Sequence, residues 1–250
     1  MATGKKRIPA KLKHDAIVEA LLEVRFDATT IPEILLGRLA DWPSWKGFEQ
    51  GRMPAYEIPA FVRQADLNLR YQPIFELHNA EKNRAVRIGG NMLSYHRLPP
   101  YESWAKFKPE LDAAIEALFA KADELTIRRL GLRYINAIRP ELHLISSISG
   151  LDLRVAVENE AVAGNVNVNF TTDLSDDTQC TVRVATIEFA QGTLPPNSRV
   201  LIDVDVFTIE DFKTNDAQKV KQWVESAHTM EKEQFFRLLT NATIDALEEK

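Results

Sequence analysis

Leu22-Glu-Val-Arg-Phe26 and Leu130-Gly-Leu-Arg-Tyr134 are the stretches on which the reading of this chain turns. They lie 108 residues apart, Arg25 over Arg133, and at the same offset Glu102 and Trp104 lie over Glu210 and Phe212. Both stretches belong to runs with strand periodicity. In 16–27, Val18, Ala20, Leu22, Val24 and Phe26 share one parity while Glu19, Glu23 and Arg25 share the other. That alternation marks a strand with one side in a core. The second run, 125–138, carries Arg129-Leu-Gly-Leu-Arg-Tyr-Ile-Asn136 and is closed by Pro140.

Outward from these strands the two halves follow one plan. After the first, Thr30-Ile-Pro-Glu33 combines a capping hydroxyl, an early proline and a glutamate three residues on, which predicts a helix over 31–42. Turn residues at Met53-Pro54, Ile58-Pro59, Gln72-Pro73 and Gly89-Gly90-Asn91 cut 51–98 into a meander of three short antiparallel strands. Trp104, Phe107, Leu111, Ile115, Leu118 and Ala122 then recur at helical spacing, with a start or bend expected at Pro109. After the second strand come a short helix in 141–150, four strands at 151–158, 166–172, 180–189 and 200–209, a long helix over 216–239 and a tail from Thr243.

The expectation is an α+β chain built by tandem duplication of a strand, helix, antiparallel sheet and long helix. Its parts are a basic tail (1–15), a first module (16–124) and a second (125–250), with the two sheets able to join. In element order it resembles the TATA-binding-protein and helix-grip folds.

The chain has 250 residues, 45% hydrophobic and 27% charged, with a formal net charge of -5. That balance suits a globular protein with a large core and argues against a general nucleic-acid surface. One cysteine, Cys180, excludes an intrachain disulfide or a multi-cysteine zinc site. No signal-peptide core or membrane-length apolar run is present, and a cytoplasmic protein is expected. His14, His78, His96, His143 and His228 show no ligand spacing, and no metal or cofactor is expected.

The candidate chemistry lies in charge on strand faces. Arg129, Arg133 and Arg139 share a parity, as do Asp203 and Asp205, and Glu19, Glu23 and Arg25. If Glu19, Arg129, Arg133, Asp203 and Asp205 met in one cavity, they would make a metal-dependent phosphohydrolase or a nucleotide- or polyphosphate-binding enzyme, with arginines for phosphate and carboxylates for a cation. The first strand lacks the alternating acid-acid-lysine signature of triphosphate-tunnel enzymes. The favoured alternative is a wet sheet face with cross-strand ion pairs. A gap between helix and sheet, near Tyr101 and Trp104 or Phe207, Phe212 and Trp223, is a further ligand candidate. Phe235 and Phe236 adjoin on the last helix, which allows one ring to be buried and the other to face a homodimer partner.

The series His14–Ala20, Arg97-Leu-Pro-Pro100, Tyr101-Glu-Ser-Trp104, Arg129–Asn136, Leu201–Phe207 and Ala227–Thr240 resembles a sporadically distributed prokaryotic family of roughly 250 residues with no assigned reaction. The Arg-Leu-Gly-Leu-Arg-Tyr-Ile-Asn run is its most specific piece. The resemblance implies a patchily inherited protein, a pattern shown by defence and toxin-antitoxin genes, and hence a protein partner. Within that run Tyr134 is expected as a packed ring and Asn136 as a tie at the strand end, with Arg133 the mate of Asp203 or Asp205. The combined expectation is a non-enzymatic binding module for a protein or small ligand, with Arg25, Arg129, Arg133, Tyr134, Asn136, Asp203, Asp205, Glu19, Tyr101 and Trp104 as binding candidates.

Overall fold

The computed structural model describes residues 6–162, 164–190, 194–209 and 212–249; Glu210, paired with Glu102 in the 108-residue register, lies outside them. In chain order the elements are β1 (Ile17–Asp27), α1 (Pro32–Ala40), β2 (Glu49–Arg52), α2 (Ala60–Ala65), β3 (Phe75–His78), β4 (Arg84–Ile88), β5 (Met92–Arg97) and α3 (Trp104–Lys121). There follow β6 (Thr126–Ile138), α4 (Pro140–His143), β7 (Ala156–Val157), β8 (Glu160–Ala161), β9 (Asn167–Ser175), β10 (Thr178–Thr186), β11 (Val200–Thr208), α5 (Ala217–Arg237) and α6 (Asn241–Leu247). The mixed α+β class is as expected. One antiparallel sheet of nine strands runs in the order β2-β3-β4-β5-β1-β6-β11-β10-β9, and β7 pairs with β8 as a separate ribbon.

The chain divides into two compact units, one from Glu19–Leu132 and Phe207–Ser226, the other from the chain up to Val18, Arg133–Val206 and Ala227 onward. In the first, α3 buries Phe107, Leu111, Ala114, Ile115, Ala117 and Leu118, and Tyr95 of β5 lies 6.3 Å from Phe107. Leu22, Val24, Val86, Ile88 and Leu93 complete this core, all 1% exposed or less. Each such side chain contributes about 1.5–3 kcal/mol of transfer free energy. In the second unit, Cys180, Val182, Val184, Ile202 and Val204 are buried with Phe235, Phe236, Ile244 and Leu247. Its first residues are tied down: Lys13 N donates to Leu247 O at 2.9 Å, Glu249 N to Lys11 O at 3.1 Å, and Arg7 bonds Glu248 and Asp245. Residues 6–15 are therefore no free tail.

Several local expectations need correction. Thr30 caps nothing: α1 has no side-chain cap, and the Thr30 hydroxyl instead bonds the Asp123 carboxylate and backbone. The meander has four strands and the short helix α2. Pro109 lies inside α3, which begins at Trp104. Residues 151–158 form only the two-residue β7, because no neighbour in the main sheet accepts their alternation. The tail from Thr243 is helical, with Thr240 Oγ1 accepting from Thr243 N. Arg139 is the N-cap of α4, outside β6. Phe235 and Phe236 are both buried, at 7% and 5% exposure, so neither is left for a partner.

Candidate functional site

Strand register assembles a charged face in the first unit. Glu76 stands opposite Arg87, Arg87 opposite Ser94, and Ser94 opposite Glu23. Residues two apart on a strand share its face, so His96, Glu19 and Arg25 join this row. The opposite parity, Leu22, Val24, Leu93 and Tyr95, is the buried one.

Two clusters result. In the first, Arg87 Nε donates to Glu76 Oε1 at 2.9 Å, Arg87 Nη1 is 4.0 Å from Glu19 Oε1, and His96 Nδ1 is 2.7 Å from the same oxygen. Burial, above all, keeps the His96 pKa below its ordinary value, partly offset by its bond to Glu19. The ring is neutral near pH 7, and Glu76 and Glu19 both lie against Arg87. In the second cluster Glu23 Oε1 accepts from Arg25 Nε at 2.7 Å and Arg129 Nη1 at 3.1 Å. Two guanidiniums thus share one carboxylate oxygen. Each arginine also covers a ring: Arg25 lies 4.3 Å from the Tyr71 centroid and Arg129 4.6 Å from that of Phe207. Such stacking fixes the guanidinium plane. The side chains of Glu19, Glu23, Arg25, Arg87 and Arg129 are between 23% and 30% exposed, so the face is held in place yet reachable by a partner.

Ser94, His96 and Glu19 form a continuous chain, with Ser94 Oγ 2.7 Å from His96 Nε2. The neutral ring accepts from the hydroxyl at Nε2 and donates to Glu19 at Nδ1, the order that activates a serine nucleophile. A nucleophile must also meet its substrate, and Ser94 is 3% exposed and His96 5%. The chain therefore positions Glu19 beside Arg87.

In the second unit Arg133 grips Asp203 through Nε–Oδ1 at 2.8 Å and Nη2–Oδ2 at 2.6 Å, the bidentate mate anticipated from parity. Asp205 contributes to holding the Cys180 thiol up at about 12, after burial itself. Tyr134 is 1% exposed, with its hydroxyl 3.4 Å from His228 Nδ1. Asn136 is 3% exposed and donates to Ile202 O, in a strand rather than a loop. Tyr101 and Trp104 pack edge-on to Phe107 at 5.7 and 6.2 Å, and Trp104 Nε1 donates to Glu225. Among the described residues no three or more His, Cys, Asp or Glu side chains are grouped to hold a metal ion. No described helix is long and apolar enough to cross a membrane.

Ser94, His96, Arg87, Glu76 and Tyr71 are the members of this face that sequence reasoning missed. Their parity was readable, but their partners follow only from register. No protein-family model matches the chain, and no curated protein matches its sequence.

Proposed function

We propose that this chain is a non-enzymatic binding module that recognises a protein partner through the sheet face carrying Glu19, Arg25, Arg87 and Arg129. The observation that carries the reading is the pair of preassembled clusters, in which carboxylates and guanidiniums are held side by side on one face. A polyanion needs an unbroken basic surface and would meet Glu19 and Glu76 here. A protein surface with alternating charge complements both clusters, and their fixed geometry lowers the ordering cost of binding. A protein partner is what the family resemblance implies.

The module is a duplicated one on this reading, and strand order supports it. From the middle outward the sheet runs β1, β5, β4, β3, β2 on one side and β6, β11, β10, β9 on the other. In each half the first strand is central, the last lies beside it, and earlier strands follow outward.

The test is affinity capture from the native cell with wild type and with Arg25→Glu/Arg129→Glu, alongside a thermal-shift series with nucleotides, polyphosphate and divalent cations. Expected are one stoichiometric protein lost with the double variant, and no shift with any phosphate. A polyphosphate-induced rise in Tm that Arg129→Ala abolishes would overturn the reading.

A further inference from the structure

The two ends of the sheet are β2 and β9, and they differ as edges. β2 is four residues, Glu49-Gln-Gly-Arg52, with a charge at each end; shortness and charge are how sheet edges avoid pairing with other chains. β9 is nine residues, Asn167-Val-Asn-Phe-Thr-Thr-Asp-Leu-Ser175, without proline, lysine or arginine and with Asp173 as its one charge. None of its residues is buried, and Val168, Phe170 and Leu174 are half-exposed. Among the described residues no backbone hydrogen bond joins β9 to anything but β10.

Register shows which backbone groups of β9 are free to pair. Thr186 N donates to Val166 O at 2.9 Å, which turns Val166 toward β10, and the pairing continues unshifted from Asn167↔Ala185 to Asp173↔Gln179. Because bonded and non-bonded pairs alternate in an antiparallel ladder, Asn167, Asn169, Thr171 and Asp173 direct N–H and C=O away from β10. Beyond Asp173 the register shifts. The regular outward segment is thus 167–173, with Phe170 at its centre.

We propose that β9 is a homotypic docking edge: two copies of this chain pair β9 with β9, antiparallel, about a twofold axis at Phe170. This register uses all four outward residues, setting Asn167 against Asp173 and Asn169 against Thr171 of the second copy. It is complementary in charge. Asp173 faces an amide, and the Asn167 Oδ1 already accepts from Arg183 Nε at 2.9 Å, leaving the amide N–H groups to donate to that carboxylate. On the other face Phe170 meets the second Phe170 in a non-bonded pair, the closest side-chain approach in an antiparallel sheet, where aromatic pairs are favourable. The interface is isologous and self-limiting.

Sedimentation equilibrium on the full chain tests this. The wild type is expected to be dimeric at about 100 µM, and Thr171→Pro, which deletes an outward N–H and the Thr171–Thr181 hydroxyl contact while sparing the backbone bonds to β10, is expected to weaken the dimer at least about tenfold with an unchanged circular dichroism spectrum. A monomeric wild type at that concentration overturns the proposal, as does a Thr171→Pro dimer of wild-type affinity. Register is read independently by Phe170→Cys, which brings two thiols to the axis within disulfide reach. Mild oxidation is expected to give a covalent dimer, and its absence from a dimeric Phe170→Cys sample overturns the register even if Thr171→Pro fails to fold.

Discussion

Helix α3 buries Phe107, Leu111, Ala114, Ile115, Ala117 and Leu118, all apolar, whereas α5 from Ala227 onward buries Glu231 and Gln234 beside Phe235 and Phe236. Burial raises the Glu231 pKa to about 8, against the pull of Lys232. It lowers the His228 pKa to about 4, helped by Lys232. Both groups are thus uncharged at neutral pH, the acid by keeping its proton and the imidazole by losing it. Two long helices of one chain thus differ in whether their packing is coupled to protons.

That contrast is sharpest in stability measured against pH. Leu111→Ala is expected to cost about 2–5 kcal/mol, and by the same amount at pH 5.5 and 8.5 in urea titrations. A cost that changed with pH would remove the distinction. Glu231→Gln comes next. A raised carboxyl pKa stabilises the fold fully below the unfolded value near 4.5, and this contribution is lost as pH rises through about 8. The variant should match wild type near pH 5 and exceed it by a few kcal/mol at pH 9; parallel pH profiles would refute this.

His228→Leu probes the opposite sign. A depressed imidazole pKa gives stability that is present above about 6.5 and lost as pH falls toward 4. The variant should therefore flatten the acid limb by up to about 3 kcal/mol, read by thermal melts from pH 7 to 4. The smallest effect belongs to the polar face: Arg25→Ala should cost about 0.2–1 kcal/mol, declining with added salt. A larger, salt-independent loss would make Arg25 part of the core.

Glu231 also shows where the sequence stops being readable. Ala227, Glu231, Gln234 and Leu238 follow helical spacing, but a reading that selects apolar residues takes Met230 for the stripe and passes over a carboxyl in the right place. On the sheet, the parity of Glu19, Glu23 and Arg25 was legible, and so were Arg129 and Arg133, since strand alternation is local. The bonds from His96 to Glu19 and from Arg87 to Glu76 were not, because they depend on how strands far apart in the chain align. Residues 151–158 fail for the same reason: alternation states a preference, and only a neighbouring strand fulfils it. The aromatics divide likewise, Tyr134 packing as expected while Phe207 turned from the helix start to cover Arg129.

Cys180 has one more use. Its thiol is fully buried on β10 opposite Thr172 of β9, with its pKa held at about 12, so a thiol reagent can reach a reactive thiolate only when the structure around it opens. As the one cysteine in the chain, it is a built-in clock: the rate of its modification in native buffer counts openings of the structure around β10 without any engineered label. A second copy seated on β9 would slow that clock as protein concentration rises, up to a plateau when the dimer is fully formed.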